Sequence, residues 1–479
     1  MSKLSRVVVH APGVGEVFPT PEPGKFYGLD IESTYMDDRG AFGPDFRVRT
    51  IQFGLPDEAW VFRTDDPRQL ERALAVLRHP RNTFACYTPI DVLAPWARFG
   101  VWCADRAIDI YELSSELVKE ESWSGETYQD PGYSPKTKGR DLKSMCLRYG
   151  VPELLEADKA LDARFDELFH EARPDVKKNS GTRSEREAHG FNNIDLSDPV
   201  FSRYAGLDAS AVRILADKLL PTFSQEYLTG LVNSWHDLVT QRARGYPVDM
   251  GFLEEHHAPV LEEQKRLTAE FTALTGLSPT QTKKLVPWFT ERGMDVSVQP
   301  QAASGAPSLS KKHADIFRAH PWDETGRQAG ELFLGVSELK NRAVIFEKIK
   351  KMTCPDGRIR PWLVYNGTRT SRMASRGGLN LQNFKKSDYR LRGVIRAEPG
   401  HTLIACDFAQ IELRVAGALA GEQSLMDAVK AGDDLHQVTA DLVGASRQVG
   451  KTLNFAALYG AGGAKIAEQA GGISEDEGR

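Results

Sequence analysis

Residues 402–420 read TLIACDFAQIELRVAGALA, and the pattern changes at Asp407. The first five residues are a short apolar run typical of a buried strand, and the carboxylate follows that run directly. Apolar residues then recur at steps of four, at Ile411, Val415 and Leu419. This spacing predicts an amphipathic helix that ends near Gly421, so Asp407 is expected on a strand-to-helix turn.

Residues 447–460 read RQVGKTLNFAALYG, and four side chains recur there at every fourth position: Arg447, Lys451, Phe455 and Tyr459. On an α-helix this spacing gives one stripe about 18 Å long, with two cations followed by two aromatic rings. This order suits a nucleoside triphosphate, because cations can bind the phosphates and rings can contact the sugar and base. The alternative is a solvated helix whose aromatic side chains pack into a core.

Taken together, DFAQIELR and R-x3-K-x3-F-x3-YG closely resemble motifs A and B of the family A DNA polymerases. The resemblance implies that Asp407 is a metal-binding carboxylate of the palm, helped by the carbonyl oxygen of Phe408. It also implies that Glu412 is the steric gate against a ribose 2′-hydroxyl group, with Gln410 beside it.

By the same resemblance, the second stretch is the fingers helix. Arg447 and Lys451 would bind the triphosphate, together with His436 in the segment DLHQVTA. Phe455 would contact the sugar, and Tyr459 would lie beside the templating base. The family implies two Mg²⁺ or Mn²⁺ ions at a complete polymerase site, with dNTPs and primer-template DNA as binding partners.

The segment FYGLDIES at residues 26–33 is a predicted strand that carries Asp30 and Glu32. Residues two apart in a strand point to the same side, so the two carboxylates converge on one face. Paired oxygen ligands of this kind suit Mg²⁺ or Mn²⁺. Solubilising charges on an edge strand are the alternative for an isolated D-x-E pair.

Three later residues extend this pair. Asp91 is predicted at the start of a helix whose Leu93 and Trp96 face a core. Tyr204 and Asp208 lie one helical turn apart. With the D-x-E pair they resemble the D-x-E, D and Y-x3-D motifs of the proofreading 3′→5′ exonuclease fold. The resemblance implies that the four carboxylates hold two metal ions and that the tyrosine positions the attacking water.

The second exonuclease motif departs from the family pattern. Members often carry Asn four residues before the aspartate, where this chain has Tyr87. The carboxylate is retained, so nuclease chemistry is still expected. Asp109 matches a family aspartate that opens a helix, and we interpret it as an N-cap or as a residue supporting the site.

The fold class expected from these patterns is α/β plus α, with an RNase H-like 3′→5′ exonuclease domain, a helical thumb, and the incomplete palm and fingers of a right-hand polymerase. The expected boundaries are an amino-terminal arm at 1–24, the exonuclease domain at 25–215, the thumb at 216–335, the partial palm at 336–430 and the partial fingers at 431–479. Within the exonuclease domain, the polar stretch 119–193 is interpreted as surface loops around one helix.

A basic segment lies within the expected palm. Residues 336–396 contain 15 Lys or Arg and four Asp or Glu, which favours a solvated face and a nucleic-acid track about equally. The end of this segment resembles the T-G-R-L-S-S and N-L-Q-N signatures of the family, with Thr370-Ser371 standing where the family has Thr-Gly. The resemblance implies minor-groove contacts from four side chains: Arg372, Asn380, Gln382 and Asn383.

Composition places the chain among soluble globular proteins of several domains. It has 479 residues, of which 41% are hydrophobic and 27% charged, and a formal net charge of −5. The five cysteines form no C-x-x-C pair, which indicates reduced, buried thiols. There is no signal peptide and no apolar run near about 18 residues. The chain is therefore expected in the cytoplasm, of a host cell if phage-encoded, with no membrane partner.

The third polymerase motif, a His-Asp-Glu turn, does not occur after Tyr459. Because its aspartate would bridge both metal ions, a second polypeptide carrying this motif is expected as a partner. Without the strands of that region, apolar surface around residues 402–406 is expected to be exposed. Two alternatives stay open: a stand-alone metal-dependent 3′→5′ exonuclease, and a non-catalytic DNA-binding fragment.

Overall fold

The protein is described by a computed structural model that covers residues 6–463, except 12, 14, 17, 118–140, 175–181, 294–308, 310–322, 366, 369–371 and 385–387. It forms two compact units, Met1–Gly400 and His401–Arg479, which we call the amino-terminal unit and the carboxy-terminal unit. None of the helices in the described part combines the length and the apolarity that a membrane span requires.

A six-stranded sheet lies at the centre of the amino-terminal unit. Its strands are β1 Val8–His10, β2 Phe26–Ser33, β3 Val48–Gly54, β4 Glu58–Arg63, β5 Thr83–Cys86 and β6 Ala107–Asp109. Their spatial order is β1-β4-β3-β2-β5-β6. β2 is antiparallel to β3 and parallel to β5, and β5 is parallel to β6. The sequence predicted β2, whereas β1 lies in the stretch interpreted as an arm and pairs with β4 at the sheet edge.

Helices pack on this sheet. They are α1 Pro67–Arg78, α2 Ile90–Phe99, α3 Ile110–Leu117, α4 Leu142–Arg148, α5 Glu153–Ala172, α6 Arg183–Asn193 and α7 Pro199–Leu219. The apolar side chains of β2 pack with those of α1 and α2: Tyr27, Leu29 and Ile31. A second apolar cluster joins α5 and α7 and includes Phe165 and Leu207. The central strand β2 is therefore packed on both of its faces.

Two glycines allow α7 to lie very close to the sheet. A Cβ atom at Gly28 would lie 1.9 Å from the carbonyl oxygen of Ala209. A Cβ atom at Gly54 would lie 2.3 Å from the backbone nitrogen of Ser210. Any larger side chain at either position would push α7 away from β2 and β3. These two glycines therefore allow the short distance at which α7 packs on the strands.

The stretch 119–193 contains more helix than the sequence predicted. Besides α4, which was expected, it includes the whole of α5 and α6. α5 buries four apolar side chains spread over its length: Leu154, Leu161, Phe165 and Phe169. α6 begins with a capping box between Thr182 and Glu185. The loop interpretation is wrong for these segments, because a sparse apolar stripe within a charged sequence is enough to pack a helix. Residues 118–140 and 175–181 lie outside the described residues.

Long helices and short strands form the rest of the amino-terminal unit. The helices are α8 Gln225–Arg244, α9 Met250–Thr275, α10 Thr282–Thr290, α11 Glu324–Met352 and α12 Tyr389–Arg392. The strands are β7 Tyr246–Pro247, β8 Arg358–Ile359, β9 Trp362–Val364 and β10 Ala374–Arg376. β7 pairs with β8, and β9 pairs with β10. α9 packs along α11. α11 is one continuous helix across residues 335–336, where the sequence predicted the boundary between thumb and palm.

Four helices form the described part of the carboxy-terminal unit: α13 Ile411–Ala420, α14 Gln423–Ala431, α15 Leu435–Leu442 and α16 Arg447–Leu458. α13 ends at Gly421, whose φ of 66° is left-handed, as the sequence predicted. Packing of α15 on α16 is close at Gly450, where a Cβ atom would lie 2.2 Å from the carbonyl oxygen of His436.

The expected buried strand at residues 402–406 is absent, and this prediction is wrong. Leu403 and Ile404 are 61% and 81% exposed. An extended segment needs a neighbour for its backbone hydrogen bonds, and the described residues of the carboxy-terminal unit include no strand. The exposure agrees with the expectation that apolar surface here is left uncovered. Cys406 is exposed for the same reason, whereas the other four cysteines are buried free thiols as expected.

α13 turns a different face inward from the one predicted. Its expected apolar stripe is exposed: Ile411, Val415 and Leu419. The buried residues are Leu413 and Gly417. A Cβ atom at Gly417 would lie 2.8 Å from the side chain of Leu425, so α14 can approach α13 only along this glycine. Close helix packing at a small residue decided the buried face, and the apolar spacing did not.

Candidate functional site

Three carboxylates meet between β2 and α7. Asp30 and Glu32 project from the same side of β2, and Asp208 projects from α7 above them. One oxygen atom from each carboxylate lies within 4.8 Å of the others. Among the described residues, this is the group of potential metal ligands that comes together. The close approach of α7 at Gly28 makes this convergence possible.

Asp91 lies in the first turn of α2, as the sequence predicted, and its charge contributes to raising the pKa of Asp30, but it is outside the group of three carboxylates that lie within 4.8 Å of one another. Its Oδ2 atom accepts hydrogen bonds from the backbone N–H groups of Thr88 and Tyr87, over 3.1 and 3.3 Å. These bonds fix the carboxylate at the helix N-terminus. Leu93 is buried as expected, but Trp96 is 40% exposed, so the prediction that it faces a core is wrong.

The environment of these carboxyl groups favours their protonated forms when no cation is bound. Burial, followed by repulsion from Asp208, raises the pKa values of Asp30 and Glu32 well above their usual range. Burial also raises the pKa of Asp91 to about 7 and that of Asp208 to about 6. In their ionised forms, these four buried carboxylates would therefore repel one another.

Two buried oxygen atoms of the cluster have no hydrogen-bond partner: Oδ2 of Asp30 and Oδ1 of Asp208. Buried carboxylate oxygens without donors are costly unless a cation satisfies them. Hard oxygen ligands of this kind suit Mg²⁺ or Mn²⁺. The residues therefore fit a divalent cation, with Asp30, Glu32 and Asp208 as its ligands and Asp91 beside them.

Tyr204 lies one turn before Asp208 on α7, and a hydrogen bond from its hydroxyl group lowers the pKa of that carboxyl group. Burial raises the pKa of Tyr204 well above its usual range, so the phenol stays protonated. Tyr87, the departure from the motif, is buried, and its hydroxyl group donates to Ser114 over 3.3 Å. Its side chain belongs to the apolar cluster, so position 87 supplies packing.

Asp109 is a helix cap, which confirms the interpretation from sequence. Its Oδ1 atom accepts a hydrogen bond from the backbone N–H of Tyr111 over 2.8 Å at the start of α3. Its Oδ2 atom accepts from the indole Nε1 of Trp235 over 2.9 Å. The same carboxylate therefore caps α3 and anchors α8.

A second cluster forms within the carboxy-terminal unit around Asp434, which the sequence did not single out. This carboxylate caps α15 by accepting from the N–H of His436 over 3.0 Å. It also accepts from Nε2 of Gln410 over 3.0 Å and from Nε of Arg447 over 2.6 Å. Asp434 thus ties the turn before α13 to the first residue of α16. The available signal was this aspartate at the start of DLHQVTA, because aspartate is a preferred N-cap residue.

The predicted stripe on α16 is assembled and faces outward. The Phe455 ring lies 5.7 Å from His436 and 6.4 Å from the stacked ring of Tyr459. Nζ of Lys451 lies 5.9 Å from the centre of the Phe455 ring. The buried residues of α16 are others: Gly450, Leu453 and Ala456. Tyr459 is 67% exposed and Phe455 is half-buried, so neither ring is fully turned into a core.

His436 and Glu412 complete this cluster. His436 is buried, and burial followed by the charge of Arg447 lowers its pKa, so its ring is neutral at neutral pH. Its Nδ1 atom lies 3.1 Å from the side-chain nitrogen of Asn454. The Tyr459 hydroxyl group donates to Oε2 of Glu412 over 3.2 Å. Residues from α13, α15 and α16 therefore surround one exposed surface.

Asp407 and Phe408 lie in the irregular segment before α13, and both are exposed. The described part of the carboxy-terminal unit contains no group of three or more potential metal ligands around Asp407. Gln410, which follows them, has a left-handed φ of 53° that is unusual for a residue with a side chain. This conformation aims its amide at Asp434 and at the N–H of Leu435.

Two of the four residues matched to DNA contacts hold the backbone near β10. Oδ1 of Asn380 accepts from the N–H of Gln382 over 2.8 Å. Gln382 accepts from the N–H of Ser375 and donates to the carbonyl oxygen of Met373, over 3.2 and 2.9 Å. Arg372 and Asn383 have exposed side chains in the same region.

Comparison with known proteins matches the carboxy-terminal half of the chain to a family. Residues 261–479 match the family model described as DNA polymerase family A. The DNA polymerases of Mycobacterium phage L5 and Mycobacterium phage D29 are each 25% identical to the chain, over 463 and 473 residues. These alignments cover 93% and 92% of the chain and 70% of each relative.

Two further similarities extend this result. DNA polymerase I of Aquifex aeolicus is 29% identical over 235 residues, which cover 47% of the chain and 38% of that relative. Among solved structures, the POL domain of Pol1 from M. smegmatis, in complex with DNA primer-template and dNTP, superimposes with a TM-score of 0.65. That match covers 96% of the chain and 74% of the solved chain at 17% identity, and it shows a similar α/β plus helical fold.

Proposed function

We propose that this chain is a family A DNA polymerase that adds dNTPs to a primer-template, and that residues 25–215, within its amino-terminal unit, are a 3′→5′ proofreading exonuclease domain. The observation that carries the polymerase proposal is the outward-facing cluster of Arg447, Lys451, Phe455 and Tyr459 within a family A domain. The relatives that are DNA polymerases, and the similar fold solved with primer-template and dNTP, support it.

In this proposal the cations of α16 bind the triphosphate. Arg447 is paired with Asp434 when no nucleotide is bound, and a triphosphate competes with that carboxylate for the guanidinium group. Lys451 lies one turn further along the same exposed face. A neutral His436 contributes a hydrogen bond and leaves the charge to these two residues.

The rings select the sugar and the base. Phe455 lies between the cations and Tyr459, where a deoxyribose can pack on its face. The bond between Tyr459 and Glu412 places a carboxylate beside that sugar position. A 2′-hydroxyl group would meet this carboxylate side chain, so a deoxynucleotide is preferred over a ribonucleotide.

Asp407 and the carbonyl oxygen of Phe408 are the proposed ligands of a Mg²⁺ ion at the polymerase site. When bound, this ion lowers the pKa of the primer 3′-hydroxyl group and neutralises phosphate charge. The 3′-oxygen then bonds to the α-phosphorus of the dNTP, and the bond from that phosphorus to pyrophosphate breaks. Arg447 and Lys451 hold the departing phosphates.

For the exonuclease, the carrying observation is the cluster of Asp30, Glu32 and Asp208 with two unsatisfied oxygen atoms. The order β4-β3-β2-β5-β6, with the first three strands antiparallel and the rest parallel to β2, supports an RNase H-like assignment. A bound Mg²⁺ or Mn²⁺ pair would activate water and stabilise the leaving oxygen. Tyr204, fixed by Asp208, would orient that water.

Primer-template DNA is the proposed macromolecular partner. Arg372 and Asn383 are exposed and could donate to minor-groove acceptors that all base pairs share. Asn380 and Gln382 would act indirectly, because their amides hold the turn that presents these side chains. Contacts of this kind read the shape of a base pair and ignore its sequence.

The two proposed activities can be tested separately on the purified chain. Primer extension with dNTPs and Mg²⁺ should be lost in Arg447→Ala with Lys451→Ala, while degradation of single-stranded DNA from its 3′ end continues. Degradation should be lost in Asp30→Ala with Glu32→Ala, while extension continues. No extension by the wild-type chain, either alone or together with a second polypeptide that carries the His-Asp-Glu motif, would contradict the polymerase proposal.

A stand-alone 3′→5′ exonuclease is the second candidate. It is favoured by one contrast: among the described residues, a group of three potential metal ligands forms at Asp208, whereas no group of three or more forms at Asp407. This candidate predicts metal-dependent degradation with no extension under any condition. Binding of DNA without degradation in Mg²⁺ or Mn²⁺ would instead identify a DNA-binding fragment.

A further inference from the structure

Lys143 lies beside the acidic cluster but belongs to none of the motifs found in the sequence. It is the second residue of α4, which is fixed against the protein by the buried side chains of Met145 and Cys146. Its Nζ atom lies 6.0 Å from the centre of the Tyr204 ring. It also forms an ion pair with Asp158 of α5. The ammonium group is therefore held next to the residue proposed to orient water.

The charge of Lys143 reaches the metal-binding carboxylates. It lowers the pKa values of both Glu32 and Asp208, against the effect of burial. Arg49 is a second cation that lowers the pKa of Glu32. However, its guanidinium group is partly buried and donates to two backbone carbonyl oxygens at the end of α6. The guanidinium group of Arg49 is therefore occupied by these backbone hydrogen bonds, whereas the ammonium group of Lys143, which pairs with Asp158, can still bind an anion.

Two properties make Lys143 suitable for binding a substrate anion. Its side chain is 35% exposed, while that of Asp158 is 16% exposed, so the ammonium group can be reached from solvent. An ammonium group has three donors, and one carboxylate does not occupy all of them. DNA brings a negative phosphate towards four acidic side chains, and a cation at this edge offsets their repulsion.

We propose that Lys143 binds a non-bridging oxygen of the scissile phosphate in the amino-terminal unit, and that Asp158 is a positioning residue that holds Lys143 for this contact. The inference rests on the exonuclease proposed above. In the step concerned, the water oxygen bonds to phosphorus, the bond from phosphorus to the 3′-oxygen breaks, and that oxygen takes a proton. Lys143 donates a hydrogen bond to the phosphate oxygen, and it stabilises the charge that grows on the phosphate oxygens.

A purely structural role is the competing explanation, since the pair of Lys143 and Asp158 also fastens α4 to α5. The two roles differ in what they change. Loss of a fastening ion pair lowers thermal stability, and partly exposed pairs contribute about 0–1 kcal/mol. Loss of a transition-state contact lowers kcat, with little change in KM.

The test measures kcat and KM for degradation of 3′-labelled single-stranded DNA in Mg²⁺, together with thermal unfolding. Lys143→Met keeps the aliphatic stem without the charge, and kcat should fall about 10- to 1000-fold, as for loss of one electrostatic donor. Lys143→Arg should recover much of kcat. Asp158→Asn should give an intermediate kcat. Lys159→Ala, which removes an exposed lysine from the same helix as Asp158, should match the wild type.

Three results would overturn the inference. If wild-type protein degrades DNA and Lys143→Met has the same kcat, Lys143 is structural and the exonuclease proposal stands. The same conclusion follows if kcat and thermal stability fall together in Lys143→Met and Lys143→Arg recovers neither. If the wild-type chain itself degrades no DNA in Mg²⁺ or Mn²⁺, the exonuclease proposal fails, and the role of Lys143 fails with it.

Discussion

The indole Nε1 of Trp235 donates a hydrogen bond to the buried carboxylate of Asp109 over 2.9 Å. This bond joins α8, the first helix after the sheet-containing region, to the end of β6. Burial, followed by repulsion from Glu112, raises the pKa of Asp109 well above its usual range. The indole donor lowers that pKa, so the bond partly offsets the cost of burying the carboxylate.

Replacing Trp235 by Phe should therefore destabilise the protein by about 1–3 kcal/mol, the cost of an unsatisfied buried polar group. Chemical denaturation followed by circular dichroism measures this change. Trp96→Phe is the matched control, because Trp96 is 40% exposed and should change stability by less than about 0.5 kcal/mol. Equal stability of the two variants would show that the bond to Asp109 contributes nothing.

Gly28→Ala should separate α7 from the sheet, because the added Cβ atom would lie 1.9 Å from the carbonyl oxygen of Ala209. We expect a loss of about 1–3 kcal/mol, typical of overpacking, together with weaker Mg²⁺ binding, since Asp208 moves with α7. Isothermal titration with Mg²⁺ and thermal unfolding measure the two effects.

The control for this variant is Gly230→Ala in α8, where nothing lies within 4 Å of an added Cβ atom. Alanine in an open helical position should stabilise the protein by about 0.5–1 kcal/mol. If Gly28→Ala binds Mg²⁺ as tightly as Gly230→Ala, the position of α7 does not govern the carboxylate site.

Without metal, the acidic cluster should stabilise the folded protein less as pH rises, whereas the stabilisation gained from bound metal should increase as pH rises. A raised folded-state pKa means that the folded protein binds protons more tightly than the unfolded chain. This stability is present below the unfolded value of 3.8 and is lost as pH rises through about 6 for Asp208 and about 7 for Asp91. Without metal, the contribution of the cluster therefore weakens as pH rises.

Mg²⁺ competes with protons for the same oxygen atoms, so it should raise Tm more at about pH 8 than at about pH 5. Scanning calorimetry in Mg²⁺ and in EDTA at both pH values measures this. Asp30→Asn with Asp208→Asn should raise the stability of the metal-free protein at the higher pH and abolish the response to Mg²⁺. A response that survives in this double variant would place the metal elsewhere.

Glu412→Ala should weaken discrimination against ribonucleotides. Removing the carboxylate that contacts the Tyr459 hydroxyl group opens space beside the sugar position. We expect the ratio of kcat/KM for dNTP over rNTP to fall at least about 10-fold, which corresponds to about 1.4 kcal/mol. Steady-state primer extension with each nucleotide measures the ratio. Gln448→Ala, an exposed change on the same helix as Tyr459, should leave it unaltered.

The local sequence determined which side chains share a face within a single strand or helix. The alternation in β2 placed Asp30 and Glu32 on one side, and the spacing in α7 placed Tyr204 and Asp208 one turn apart. The four-residue spacing of α16 likewise gave its outward stripe. These features follow from the fixed periods of strand and helix, which the order of residues specifies directly.

Only the tertiary structure decided which faces and segments are covered. The apolar run at 402–406 forms no strand because its backbone lacks a pairing neighbour, and α13 buries Gly417 because α14 must approach a residue without a side chain. Lys143 and Asp434 acquired their places through contacts with distant segments, at Asp158 and at Gln410 and Arg447. Periodicity within a segment cannot reveal which other segment will pack against it.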